Sequence, residues 1–265
     1  MRIFLSFGWL IFSFSFLNAQ SWEKVDSVFI ETHDSITDFD CDDFNNLYFI
    51  SNFSELNKID FRTKQKKSFS NQAPLENLNT QNILQITVKS GLFNLLVLDN
   101  QLNLVQDKIK FPIESNFSPT LTALVDNNYL WGYDPVLQRL VLWNYRENKI
   151  FRQSVILSDK TGDEFYADLV YNESKIYLIG YKKILVFDEF ANLEKVIPSF
   201  EFNQIYIKNR KIYYSENRKV KSYDLTTHET EELNLVPAYY FSINNRYLFV
   251  LNGKVVYIYE SEKIQ

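Results

Sequence analysis

Residues 38–61, DFDCDDFNNLYFISNFSELNKIDF, contain a whole supersecondary unit. Asp42, Asp43, Asn45 and Asn46 make an acidic, Asn-rich turn, the apolar run Leu47-Tyr48-Phe49-Ile50 follows, and after a polar break comes Leu56-Asn57-Lys58-Ile59-Asp60-Phe61. Asn and Asp tolerate the left-handed backbone of tight hairpins, and short apolar runs bounded by such turns are strand signals. The stretch predicts strand, turn, strand.

Weaker copies recur along the chain at spacings of about 35–47 residues, where repeat architectures are to be expected. Six units are predicted, each opening with an alternating inner strand: residues 36–41, 83–88, 121–126, 166–171, 204–208 and 239–244. Near-continuous apolar runs give the second strands at 47–50, 95–98, 129–133, 176–179, 212–214 and 247–251, as befits strands buried on both faces. Third strands fall at 56–61, 102–106, 139–143, 184–188, 220–224 and 255–259, with polar fourth strands in the first five units. The sixth unit lacks a fourth strand, while residues 22–31, WEKVDSVFIE, form a strand with no unit of its own. A ring of four-stranded sheets fastened by that strand leaves no long edge open. The reading is all-β: a six-bladed β-propeller closed by its N-terminal strand.

Residues 1–19 read as a signal peptide, with Arg2 ahead of an apolar run and Asn18-Ala19-Gln20 at the cleavage point. A single propeller domain is expected over residues 20–265, exported without a lipid anchor and periplasmic or outer-membrane-associated. No later stretch has the ~18 consecutive apolar residues of a membrane span. The formal charge of −5, with scattered Lys and Arg, argues against nucleic acid as a partner. Cys41 is the sole cysteine, so no internal disulfide can form; it is read as a small buried residue of a strand.

Chemistry is sparse. The only histidines are His33 and His228, and the glycines are unclustered, so neither a histidine metal centre nor a phosphate-cradling loop is predicted, and no cofactor. The run Asp38, Asp40, Asp42, Asp43 starts like a calcium loop but has Asp43 at the sixth position and Phe49 at the twelfth, where Gly and Glu are needed. Alternation places Asp38 and Asp40 on one face of an inner strand, opposite Phe39 and Cys41. Asp168, beside Asp163 and Glu164, lies on another inner strand, so Asp38 and Asp168 are expected to face one central channel.

Asp43-Phe44-Asn45-Asn46-Leu47-Tyr48-Phe49, followed by Leu56 to Phe61, resembles the D-x-x-G-N-L-Y-V and N-x-I-x-x-F strands of NHL-type propeller repeats, with Asn45 where that family has Gly. The resemblance covers about 25 residues and implies fold only, since propellers host binders, lyases and lactonases alike. The Asn-, Lys- and Phe-rich composition resembles that of secreted proteins of Gram-negative Bacteroidota. Two functions follow. The first is a non-catalytic envelope module that holds a protein, peptide or glycan on one rim, through Phe53, Tyr133, Asp134, Tyr181, Lys182 and Arg218 in the loops between second and third strands. The alternative is a lactonase-like hydrolase with a divalent metal on Asp38 and Asp168, with Gln204 as a further candidate.

Overall fold

The computed structural model describes residues 22–82, 84–91, 94–105, 109–110, 117–157 and 165–261; the predicted signal peptide, Ile83, Asp163 and Glu164 lie outside them. Six four-stranded antiparallel sheets form the blades of a β-propeller. The ring closes as expected: β1 (Trp22–Phe29) pairs along its length with β24 (Val255–Ser261), from Trp22↔Ser261 to Phe29↔Val255. Blade 6 is thus β22 (Tyr240–Ile243), β23 (Tyr247–Asn252), β24 and β1, from the channel outwards.

Blade 1 is β2 (Ile36–Cys41), β3 (Leu47–Ser51), β4 (Glu55–Ile59) and β5 (Lys66–Ser70). Blade 3 is β10 (Leu121–Leu124), β11 (Tyr129–Asp134), β12 (Arg139–Asn144) and β13 (Lys149–Gln153). Blade 4 is β14 (Tyr166–Asn172), β15 (Lys175–Gly180), β16 (Lys183–Asp188) and β17 (Leu193–Pro198). Blade 5 is β18 (Gln204–Lys208), β19 (Lys211–Glu216), β20 (Lys219–Asp224) and β21 (Thr230–Glu232).

Blade 2 departs from expectation by one strand. Its inner strand is β6 (Leu75–Asn82), and the run predicted to be innermost supplies the second strand, β7 (Gln85–Ser90). The third strand is β8 (Asn94–Leu98) and the outer one β9 (Ile109–Lys110). Residues 102–105 make only an isolated bridge, Leu98↔Leu104, instead of the predicted third strand. β6 was missed because Glu76, Asn77, Asn79, Gln81 and Asn82 break any apolar alternation, and its pairing with β7 is irregular at two points.

Hydrophobic burial is concentrated at the seams, with one apolar cluster between each pair of neighbouring blades. Between blades 6 and 1 it gathers Ile30, Phe39, Leu47, Phe249, Leu251 and Val256, drawn from the chain's two ends. Between blades 3 and 4 it includes Leu142, Leu157, Leu169 and Leu178, with Tyr133 edge-on to Tyr166 at 5.0 Å. This is why β3 and its counterparts are apolar on both faces. At roughly 25 cal/mol per Å² of apolar surface removed from water, the seams supply most of the driving force.

Turns are capped by carboxylates. Asp42, in the acidic stretch, accepts hydrogen bonds from the Phe44 and Asn46 backbone N–H groups (2.9 and 2.8 Å), from Asn46 Nδ2 (2.8 Å) and from Tyr48 Oη (2.9 Å). That carboxylate is a hairpin cap with its lone pairs taken. Cys41 ends β2, buried, with Sγ 3.1 Å from Ser242 Oγ.

Candidate functional site: a knitted rim over a divided channel

The loops between second and third strands and the loops between blades form one rim, joined by backbone hydrogen bonds. Phe53 O accepts from Leu75 N at 2.5 Å, Gln138 O from Leu157 N at 2.9 Å, Lys182 O from Ser199 N at 3.0 Å and Arg218 O from Ala238 N at 2.8 Å. Six residues were predicted to face a partner there, and the structure divides them.

Phe53, Tyr181, Lys182 and Arg218 stand at the surface. Phe53 (φ 57°) and Arg218 (φ 66°) occupy left-handed turn positions where Gly or Asn is at ease, which costs a bulkier residue about 1–2 kcal/mol. Tyr181, 64% exposed, stacks on Phe202 with ring centroids 6.0 Å apart and planes within 15°. The Arg218 guanidinium lies 4.0 Å from the centroid of the exposed Tyr239 ring.

Tyr133 and Asp134 are a correction: both are buried, at 7% and 0% exposure. Tyr133 packs in the seam, and Asp134 accepts from Val136 N (2.8 Å), Leu137 N (2.9 Å) and Ser118 N (2.7 Å). The turn that makes Asp134 look like a loop residue is the turn whose N–H groups its carboxylate caps.

Below the rim, the channel has two chambers. The upper one, about 380 Å³, is lined by Asp38, Asp168, Lys89, Tyr181, Phe202 and Asn203 among others. The lower, about 260 Å³, opens on the opposite face past Asp43, Gln85, Glu173 and Lys208. Asp40, Asn79, Gln81, Thr87 and Tyr206 line both and form the throat.

Asp38 and Asp168 therefore do share one space, from blades 1 and 4. Asp38 accepts from Phe39 N and Leu78 N, both at 2.8 Å. Removal from water outweighs those donors and, with the Asp40 and Asp168 charges nearby, pushes its pKa up to about 7. Among the described residues Asp168 accepts only from Leu169 N (2.7 Å), and burial raises its pKa to about 6. Asp40 is fully engaged, accepting from Ser242 Oγ (2.5 Å), Cys41 N (2.9 Å) and Thr80 N (2.9 Å).

A catalytic metal needs a third ligand. Among the described residues no three His, Cys, Asp or Glu side chains come together in a metal-binding group. Gln204 Oε1 instead accepts from Phe241 N at 2.8 Å, tying blade 5 to blade 6. His33 is exposed, and His228 Nδ1 meets Tyr223 Oη at 2.8 Å in a turn, away from the channel.

No family model matches the chain and no curated protein resembles it in sequence. Its fold is similar to that of a chain of the mitotic checkpoint complex, with a TM-score of 0.61, 6% identity and 98% of each chain covered. It is also similar to streptogramin B lyase (TM-score 0.56, 14% identity, 90% of this chain and 87% of that one). A third likeness is to the Pan2 WD40 domain of Neurospora crassa (TM-score 0.55, 12% identity, 94% and 98% covered). At such identities the likeness is one of fold: this chain is a six-bladed β-propeller.

Proposed function

We propose that the protein is a non-catalytic interaction module of the cell envelope, exported by its signal peptide, which holds a protein, peptide or glycan on the knitted rim. One observation carries this reading: Phe53, Tyr181 and the Arg218–Tyr239 pair stand exposed on the same face, two of them at backbone positions that disfavour their side chains. Aromatic residues and Arg dominate interface cores, and loops on a rigid scaffold are where binding residues concentrate. A β-propeller fold is consistent with such a module.

The test is a double change, Tyr181→Ala with Arg218→Ala, in a pull-down from envelope fractions. Each truncation should weaken binding by about 1–2 kcal/mol, so the partner captured by the parent is lost while the melting temperature stays put. Capture of the same partner by the folded double variant refutes the rim. Mass spectrometry of the exported protein should find a mature N-terminus at Gln20 or Ser21; full-length protein in the cytoplasm refutes the export reading.

A further inference from the structure

The upper chamber has a chemistry that the rim does not need. Its volume of about 380 Å³ far exceeds the ~10–15 Å³ that one water requires. Asp38 and Asp168 face it from opposite sides of the ring, with Asp40 at the throat, and Lys89 from β7 answers only part of their charge. The second oxygen of Asp168 has no donor among the described residues. At the throat Thr87 is only 7% exposed, lines both chambers, and its hydroxyl has no hydrogen-bond partner among the described residues. That hydroxyl opens on the channel, so a donor held in the chamber can reach it. The stacked rings of Tyr181 and Phe202 stand in the wall on the rim side.

We propose that the upper chamber is a receptor for one organic cation, a primary ammonium or a guanidinium, which donates hydrogen bonds to Asp168 and Asp38 and, at its deepest point, to the Thr87 hydroxyl. Charge-assisted N–H bonds to carboxylates are about twice as strong as neutral ones, and aromatic faces attract cations. A bare metal ion fits poorly, because it demands three or more ligands, and the third carboxylate of the wall, Asp40, already accepts from Ser242 Oγ, Cys41 N and Thr80 N. The cation can arrive free or as the Lys or Arg side chain of a polypeptide, and the site stands whether or not the rim docks a partner.

Proton linkage supplies a signature. With Asp38 at about 7 and Asp168 at about 6, both carboxylates carry protons below neutrality, and a bound cation favours their ionised forms. Among the described residues Asp40, Lys89, Tyr181, Tyr206 and Tyr240 are the other ionisable groups around Asp38 and Asp168, and none of them reverses this direction. Binding therefore tightens as pH rises from 5 to 8 and releases protons near pH 6.5.

Calorimetry on the mature protein, with n-butylammonium and n-butylguanidinium as free cations, n-butanol as the neutral control, and the blocked tripeptides Gly-Lys-Gly and Gly-Gln-Gly, tests the assignment. Saturable binding of the free cations, about tenfold weaker in Asp168→Asn and at pH 5, is expected, with n-butanol inert. Thr87→Val should weaken binding several-fold while leaving the melting temperature unchanged, so the test survives if the aspartate variant folds poorly. Binding of the lysyl tripeptide alone assigns the chamber to a polypeptide side chain. Binding by neither class, equal binding of the neutral controls, or indifference to both substitutions overturns the proposal. Arg218→Ala separates the two readings: it is expected to impair rim capture and to leave butylammonium binding intact.

Discussion

From β18 through β22 and β2 to β6, each inner strand fastens to its neighbour with side chains, whereas β10 and β14 meet through apolar packing. On the fastened side Gln204 Oε1 accepts from Phe241 N, Tyr240 Oη donates to Thr37 O at 3.0 Å, and Asn244 Nδ2 donates to Asp42 O at 3.0 Å. Asp38 and Asp40 then take the N–H groups of Leu78 and Thr80 on β6. On the other side Ala123 and Leu169 are buried in the seam with the Tyr133–Tyr166 pair. Both arrangements bury apolar surface, but among the described residues the first also pairs backbone donors of one inner strand with side chains of the next. The fastened wall uses its carboxylates for structure, which leaves Asp168, among the described residues, as the one acidic group of the upper chamber without a donor from a neighbouring blade.

Four experiments test this contrast. Removing residues 20–31 strips β1 and Ile30 from the 6–1 seam, bares the edge of β24, and should abolish cooperative unfolding; a deletion protein that melts like the parent and stays monomeric shows closure to be dispensable. Asp40→Ala orphans Thr80 N, removes the carboxylate acceptor of the Ser242 hydroxyl, and should cost about 3 kcal/mol in urea unfolding. A loss below about 1 kcal/mol would make the fastenings incidental.

The packed side is probed by Gly132→Ala. A Cβ there would sit 2.8 Å from Phe117 Cζ and 2.9 Å from Pro119 Cβ, so a loss of about 1–2 kcal/mol is expected, and none if the loop yields. The smallest effect belongs to Asp168→Asn. A carboxyl whose folded pKa lies near 6, above its ordinary 3.8, binds its proton more tightly in the folded state, so its contribution to stability falls as pH rises between those values. The variant should be more stable than the parent at pH 8, by on the order of 1 kcal/mol after allowing for the opening to water, with the gain shrinking toward pH 4. A gain that grows on acidification would contradict the burial of this group.

The same contrast decides what could be read from sequence. Strands that pack in seams carry the apolar runs that betray them, so 47–50, 176–179 and 247–251 were placed almost to the residue, and the strand at 22–31 found its blade. β6 faces the channel with amides and carries no such signal, which shifted blade 2 by one strand. Asp38 and Asp168 could be assigned to one channel by alternation alone. Tyr133 and Asp134 could not be told from rim residues, because a capping aspartate and an exposed turn aspartate look identical until the N–H groups around them are located. Thr87 was missed for the opposite reason: its run, 83–88, was read as an inner strand, but a lone threonine there carries no chemical signal, and its place at the throat shows only once β6 and β7 are located.

The pairing of Trp22 with Ser261 spans nearly the entire chain and governs how this ring assembles. Contacts between residues so far apart form slowly, since the loop they close must first lose its freedom. During synthesis β1 has to remain unpaired until β24 has been made, with the apolar faces of Val28 and Ile30 uncovered in the meantime. In a crowded refolding mixture the waiting strand of one molecule meets the finished blade 6 of another as readily as its own. Domain-swapped dimers, rising with protein concentration and dissolving only on unfolding, are the characteristic fault of a ring that seals itself with its first strand.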